Sequence, residues 1–257
     1  CGRARWGIPN GGDLKPMEYP ITMFMDMAWN PREFQVNNIT DHTLRFCEQQ
    51  FGKEQAAEAA RILNLCNKYA GRSTAEMLDA RTYNVKTGEW RQVADDYMRL
   101  EAEALRQFIT LPVQYRDAYQ ELILFPVQAM SNIHQMYYAQ AMNQWLASQN
   151  NPDANLWAAR VREAFVRDSL LCAAYNHDIA NGKWNGMMTQ KHIGYTSWND
   201  NFPADRMPRV TNVENADGGY TFTEKDGMVV MEAEHYYESH HADRASWSVI
   251  PFMGRTR

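Results

Sequence analysis

Apolar positions recur every three or four residues over most of the first 180 positions, and every second position only near the end. Met17, Ile21, Phe24, Met25 and Ala28 keep helical spacing until Asn30-Pro31 stops the run. Thr40 caps a segment that reaches Phe51, with Gly52 as its stop. Lys53–Ala70 follows, carrying Ala57, Ala60, Leu63 and Tyr69, and ends at Gly71. A short helical turn at 74–78 and a polar loop at 84–88 lead into a long helix over Glu89–Thr110. Its stripe is Trp90, Val93, Tyr97, Leu100, Ala104 and Phe108, and Pro112 breaks it. The pattern then predicts a helix over 116–149, kinked in its first half by Pro126. Asn150-Asn151-Pro152-Asp153 turns the chain, and a last helix over 154–180 stops near Asn181-Gly182.

The flanks read differently. Pro9-Asn10-Gly11-Gly12-Asp13 is a turn, because Gly permits positive φ and Asn and Asp tolerate it. A tight loop feeding an apolar helix is one βα unit at the edge of an α/β domain. Residues 183–209 form a long aromatic and polar loop without helical period. After Asn215-Ala-Asp-Gly-Gly, strands are expected at 220–223, 228–233 and 247–252, the opening of a β-sandwich. The expected fold class is therefore mainly α: an antiparallel helical bundle over 31–211, with a βα end at 1–30 and a sandwich start at 212–257.

Composition narrows the function classes. The chain has 257 residues, 45% hydrophobic and 22% charged, which is the range of globular domains. Its net charge is −5 with no basic stripe, so no nucleic-acid partner is expected. Its longest apolar stretch, at 122–127, is far shorter than the ~20 residues a membrane helix needs, so no membrane partner is expected either. The first residue is Cys1 rather than Met, and both ends read as cuts through a longer protein. Cys1, Cys47, Cys66 and Cys172 form no C-x-x-C pair, so no structural zinc is expected. The last three fall on apolar faces of the predicted helices and read as buried thiols.

Two loops carry candidate chemistry. In the stretch 10–18, Asn10, Asp13, Lys15 and Glu18 place an amide, two carboxylates and an ammonium around one turn. At the C-terminal end of a barrel strand such a loop borders an active site. The plainer alternative has Asp13 capping the helix and Lys15 pairing locally with Glu18. In the second loop, Trp184, His192, Tyr195 and Trp198 alternate with Asn and Asp. Aromatic faces beside such groups suit sugar rings, or they simply pin a long loop across the bundle. His134 is expected to be a core histidine. Glu232, Glu234, His235, His240 and His241 have ligand chemistry but no fixed-spacing motif, so no metal and no cofactor are expected.

The stretches Gly12-Asp-Leu-Lys-Pro-Met-Glu-Tyr-Pro20, Phe24-Met-Asp-Met-Ala-Trp-Asn-Pro31, Tyr175-Asn-His-Asp, Gly182-Lys-Trp, Met187-Met188 and His192-Ile-Gly-Tyr195-Thr occur in this order. Together they resemble glycoside hydrolase family 115, the xylan α-1,2-glucuronidases. Met231-Glu-Ala-Glu-His-Tyr236 is similar to the opening of that family's C-terminal β-sandwich. The resemblance implies the end of a (β/α)8 catalytic barrel at 1–30, the whole helical domain, and a truncated sandwich. It also implies removal of (4-O-methyl-)glucuronic acid from glucuronoxylan with inversion, in a secreted or periplasmic enzyme. The family's catalytic acids would precede Cys1, so the catalytic residues are unknown and the fragment alone is expected to be inactive. Substrate-binding candidates are Asn10, Asp13, Lys15, Trp184, His192, Tyr195 and Trp198. The competing function is a non-catalytic module that forms a homodimer through the helical domain or binds xylan through Trp184 or Trp198.

Overall fold

The computed structural model describes residues 14–195, 204–213, 224–225 and 228–229. Seven α-helices account for most of them: α1 (Glu18–Trp29), α2 (Ile39–Phe51), α3 (Lys53–Ala70), α4 (Glu89–Thr110), α5 (Val113–Tyr119), α6 (Phe125–Ala147) and α7 (Ala154–His177). Strands β1 (Glu224–Lys225) and β2 (Met228–Val229) pair antiparallel, with Glu224 opposite Val229. The protein is mainly helical, as the periodicity predicts. The βα strand before residue 14, most of the three strands after residue 219, and the Glu232 to His241 cluster lie outside the described residues. No described helix is long and apolar enough to cross a membrane.

Punctuation residues set the helix ends. Gly52 is the entire link between α2 and α3, and its φ of 77° is a conformation that favours glycine. The helices pack in the order α2, α3, α4, α6, α7, each against the next. Tyr19 of α1 joins Phe46, Phe51, Ile62, Leu100 and Tyr119 in one core. A second core gathers Trp90, Met136, Tyr137, Val161 and Ile193. Five of the six stripe residues predicted on α4 are buried, and the sixth, Phe108, is half-buried. On α3, Ala60 and Leu63 are buried and Tyr69 is half-buried, as expected, but Ala57 faces solvent and its neighbour Ala56 is buried instead. Cys47 and Cys66 are buried as expected, whereas Cys172 is half-buried. His134 is a core histidine: it stacks on Tyr97 with ring centroids 4.1 Å apart, and burial lowers its pKa to about 4.

The predicted 116–149 helix begins earlier, at Val113, and contains a π-helical turn, Gln120–Leu124. There the Phe125 N–H donates to Gln120 O, five residues back. The widened turn sits directly before Pro126, which has no N–H to give its own i−4 carbonyl, so the irregularity falls upstream of the proline. The last helix ends at His177, not 180, because Ala180 and Asn181 adopt left-handed dihedrals.

Residues 204–213 run back over α6 and α7 without helix or strand partners. Side-chain amides take the place of a neighbouring strand. Asn143 donates to Thr211 O at 2.8 Å and to Ala154 O at 2.7 Å, and accepts from the Thr211 N–H at 2.9 Å. Asn155 donates to Val213 O at 2.8 Å and accepts from the Val213 N–H at 2.9 Å, while Gln140 donates to Arg209 O at 3.0 Å. At the start of this segment the Arg206 N–H donates to Ile193 O at 3.0 Å. Gly194 permits that approach, since a Cβ there would stand 2.8 Å from the Arg206 Cβ.

Candidate functional site

The structure brings the two predicted loops together. Lys15, in the turn before α1, places its ammonium 4.0 Å over the ring of Trp184. The same ammonium pairs with Glu18 one turn on, which is the local pairing the sequence offered as an alternative. It also reaches Glu121 Oε1 at 3.2 Å, a partner 106 residues away that the sequence reading missed. Tyr175 of α7 donates its hydroxyl to the same Oε1 at 3.1 Å. Lys15, Glu18, Glu121, Tyr175 and Trp184 thus form one polar cluster, roofed by Phe125 and Ile179.

Glu121 is the least ordinary member. It lies on the π-turn and only 5% of its surface is exposed. π-turns inside helices recur at functional sites. Burial raises the Glu121 pKa to about 7, with help from the hydrogen bond and charge of Glu18 and against the charge of Lys15. Glu18 Oε2 is buried without a hydrogen-bond partner, and a protonated Glu121 carboxyl would supply a donor beside it. Burial works against the charge of Lys15, but hydrogen bonds and the charges of Glu18 and Glu121 outweigh it and raise its pKa. Burial, with Glu121 beside it, pushes the Tyr175 phenol far up, so it remains a donor.

The linkage has a definite sign. A carboxyl whose folded pKa is raised contributes stability that is complete below the unfolded value of about 4.5 and is lost as pH rises through about 7. The urea midpoint is therefore expected to fall between pH 5 and pH 8, and Glu121→Gln should flatten that fall. An equal pH slope in the variant would show that the cluster does not hold the proton.

Farther along the same face of α7, His192 meets Asp168, with Nε2 donating to Oδ2 at 2.9 Å. Asp205 Oδ1 accepts from the backbone N–H groups of His192 and Ile193, both at 2.7 Å. Burial opposes the imidazolium, but the hydrogen bond and charge of Asp168, the Gln190 carbonyl and Asp205 raise its pKa to about 9. Burial, with Asp168 and Asp205 nearby, pushes the Cys172 thiol to about 12. His192 is therefore fixed in a charged pair apart from the Lys15 cluster. Tyr195 is half-buried. Asn10, Asp13 and Trp198 lie outside the described residues.

A cleft of about 280 Å³ between α1 and α2 is lined by Asp26, Trp29, Phe34, His42 and Arg45, and it holds none of the predicted residues. Glu121 and Tyr175 could have been flagged from sequence only weakly. One is a lone acid at the edge of the apolar run before Pro126, and the other is a tyrosine at the end of a helix.

The family model described as Glycosyl hydrolase family 115 matches residues 2–77, and the one for the family's C-terminal domain matches residues 221–257. The two matched segments are those of a glycosyl hydrolase family 115 fragment. A solved structure entitled a family GH115 4-O-methyl-alpha-glucuronidase with specificity for decorated arabinogalactans is similar over 83% of the chain. Its TM-score is 0.54 and its identity 23%, so it shows a shared fold. The chain spans 30% of that enzyme's length. No curated protein matches the chain. The Lys15 loop falls inside the first family 115 segment, while Glu121, Tyr175, Trp184 and His192 fall between the two. The Lys15 cluster therefore joins the matched N-terminal segment to helices that neither family model covers.

Proposed function

We propose that this chain is part of a glycoside hydrolase that removes (4-O-methyl-)glucuronic acid linked α-1,2 to xylan, with inversion. The observation that carries the reading is the pair of family 115 segments, in order, at the two ends of the chain. In this reading residues 1–30 close a (β/α)8 catalytic barrel, 31–211 form the helical domain, and 212–257 open a β-sandwich. The outer face of α1 favours it, because Phe24, Met25, Met27 and Trp29 are exposed, Trp29 at 92%, as a helix that packs against further chain would leave them. Inversion needs an acid for the leaving oxygen and a base for water, roughly 6.5–9.5 Å apart. Both would be upstream of Cys1. Lys15 and Trp184 then edge the uronate pocket, with Glu18, Glu121 and Tyr175 holding the lysine in place. A secreted or periplasmic location fits a polysaccharide substrate.

The test is release of free glucuronic or 4-O-methylglucuronic acid from glucuronoxylan, and in parallel from glucuronic-acid-decorated arabinogalactan. It is run with this chain and with the longer protein that contains it. Release by the longer protein alone is the expected result, and release by neither overturns the reading. In the active protein Lys15→Ala is expected to lower kcat/KM by roughly tenfold or more, about 1.4 kcal/mol of lost transition-state binding. Unchanged kinetics would remove Lys15 from the site.

A second reading, a non-catalytic module that self-associates, is favoured by Val166 and Leu170, exposed one turn apart on the outer side of α7. Sedimentation of this chain as a monomer would exclude it.

A further inference from the structure

We propose that Asp168, Cys172 and His192 form a binding site for one thiophilic divalent cation of the zinc type. Asp168 and Cys172 stand four residues apart on α7, one above the other on the same face. His192 comes to them from the loop after the helix. One donor atom from each of the three lies within 4.8 Å of the other two. Tetrahedral zinc holds its donors about 2.0–2.3 Å from the metal, which sets them roughly 3.3–3.8 Å apart. A small contraction closes the chelate.

The surroundings match those of a metal-binding histidine. Nε2 faces Asp168, while Nδ1–H donates to the Gln190 carbonyl at 3.0 Å, the outward hydrogen bond that fixes tautomer and ring orientation in metal sites. Asp205 clamps the backbone on both sides of the imidazole through the two 2.7 Å bonds. The His192 side chain is 31% exposed, which leaves a way in for an ion and its water. A thiolate, an imidazole and a carboxylate suit Zn²⁺ or Co²⁺ rather than Ca²⁺ or Mg²⁺, which prefer all-oxygen shells.

On binding, the cation replaces the proton between Nε2 and Oδ2, and the Cys172 thiol gives its proton to solvent. Three protein donors leave a fourth position for water. The bound ion would tie α7 to the loop that carries Trp184 and Tyr195. The spacing, a D-x-x-x-C on a helix with a histidine twenty residues on, is no recognised motif, so it does not stand out in the sequence.

The experiment is a Co²⁺ titration of the full 257-residue chain carrying Cys1→Ser, followed by absorption and then displaced by Zn²⁺. The expected result is uptake of one equivalent with a thiolate-to-cobalt charge-transfer band that Zn²⁺ abolishes. Cys172→Ser should remove the band, and Asp168→Asn, which keeps a hydrogen-bonding partner for His192, should weaken binding by about tenfold or more. Cys47→Ser, at a buried thiol away from the cluster, should leave the band intact. No stoichiometric uptake overturns the proposal. So does a band that survives Cys172→Ser, which would place the ion elsewhere in the chain.

Discussion

Replacing Asn143 by alanine is expected to destabilise the protein by about 3 kcal/mol, read as a lower urea midpoint at constant slope. The side chain is fully buried, and its removal leaves Ala154 O, Thr211 O and Thr211 N–H without their partners. Each stranded polar group costs about 1–3 kcal/mol, with Thr211 at the low end because it sits at the surface and can be rehydrated. Asn155→Ala should cost less, since Asn155 is half-buried and serves only Val213. The two losses should fall short of additivity, because both side chains grip one segment and the second cut finds it already loosened. An Asn143→Ala midpoint within error of the parent would mean that the 204–213 segment contributes nothing to the folded state.

Trp90→Ala should cost more, about 4 kcal/mol. The indole is completely buried at the start of α4, edge-on to Tyr83 at 4.9 Å and near the rings of His134 and Tyr138. Its Nε1–H also holds the 78–88 connection by donating to Ala80 O at 3.2 Å. Alanine would leave a cavity between helix and loop and release that bond as well. Trp90→Phe, which keeps most of the volume and loses the donor, should recover more than half of the loss. If the phenylalanine variant is as unstable as the alanine one, the hydrogen bond rather than the packing dominates.

How much of this was legible in the sequence follows from the range of each interaction. The limits of α3 and α4 agree with the periodicity because their ends are marked locally, by Gly52, Gly71, Gly88 and Pro112. Pro126 announced an irregularity, but whether the chain kinks or widens into a π-turn depends on how Glu121 and Tyr119 are packed, which no local pattern records. The pairing of Lys15 with Glu18 is legible in the sequence, because three residues separate them. Its bond to Glu121 spans 106 residues and the Glu101–Arg167 pair spans 66, and such contacts leave no periodic trace. The aromatic loop reads as one stretch in the sequence, yet its two ends meet different partners. Trp184 joins the Lys15 cluster and His192 joins Asp168. In the sequence the amides Gln140 and Asn143 are ordinary polar positions of a helix. Their purpose appears only when residues 204–213 lie across them.

That last arrangement determines where the helical part can be trimmed. A chain ended at His177, or anywhere before residue 204, would keep all seven helices on paper while leaving Asn143, Asn155 and Gln140 facing water or one another. A piece that keeps these bonds therefore extends through Val213, past every described helix, because the ten irregular residues from 204 to 213 cover the amides of α6 and α7.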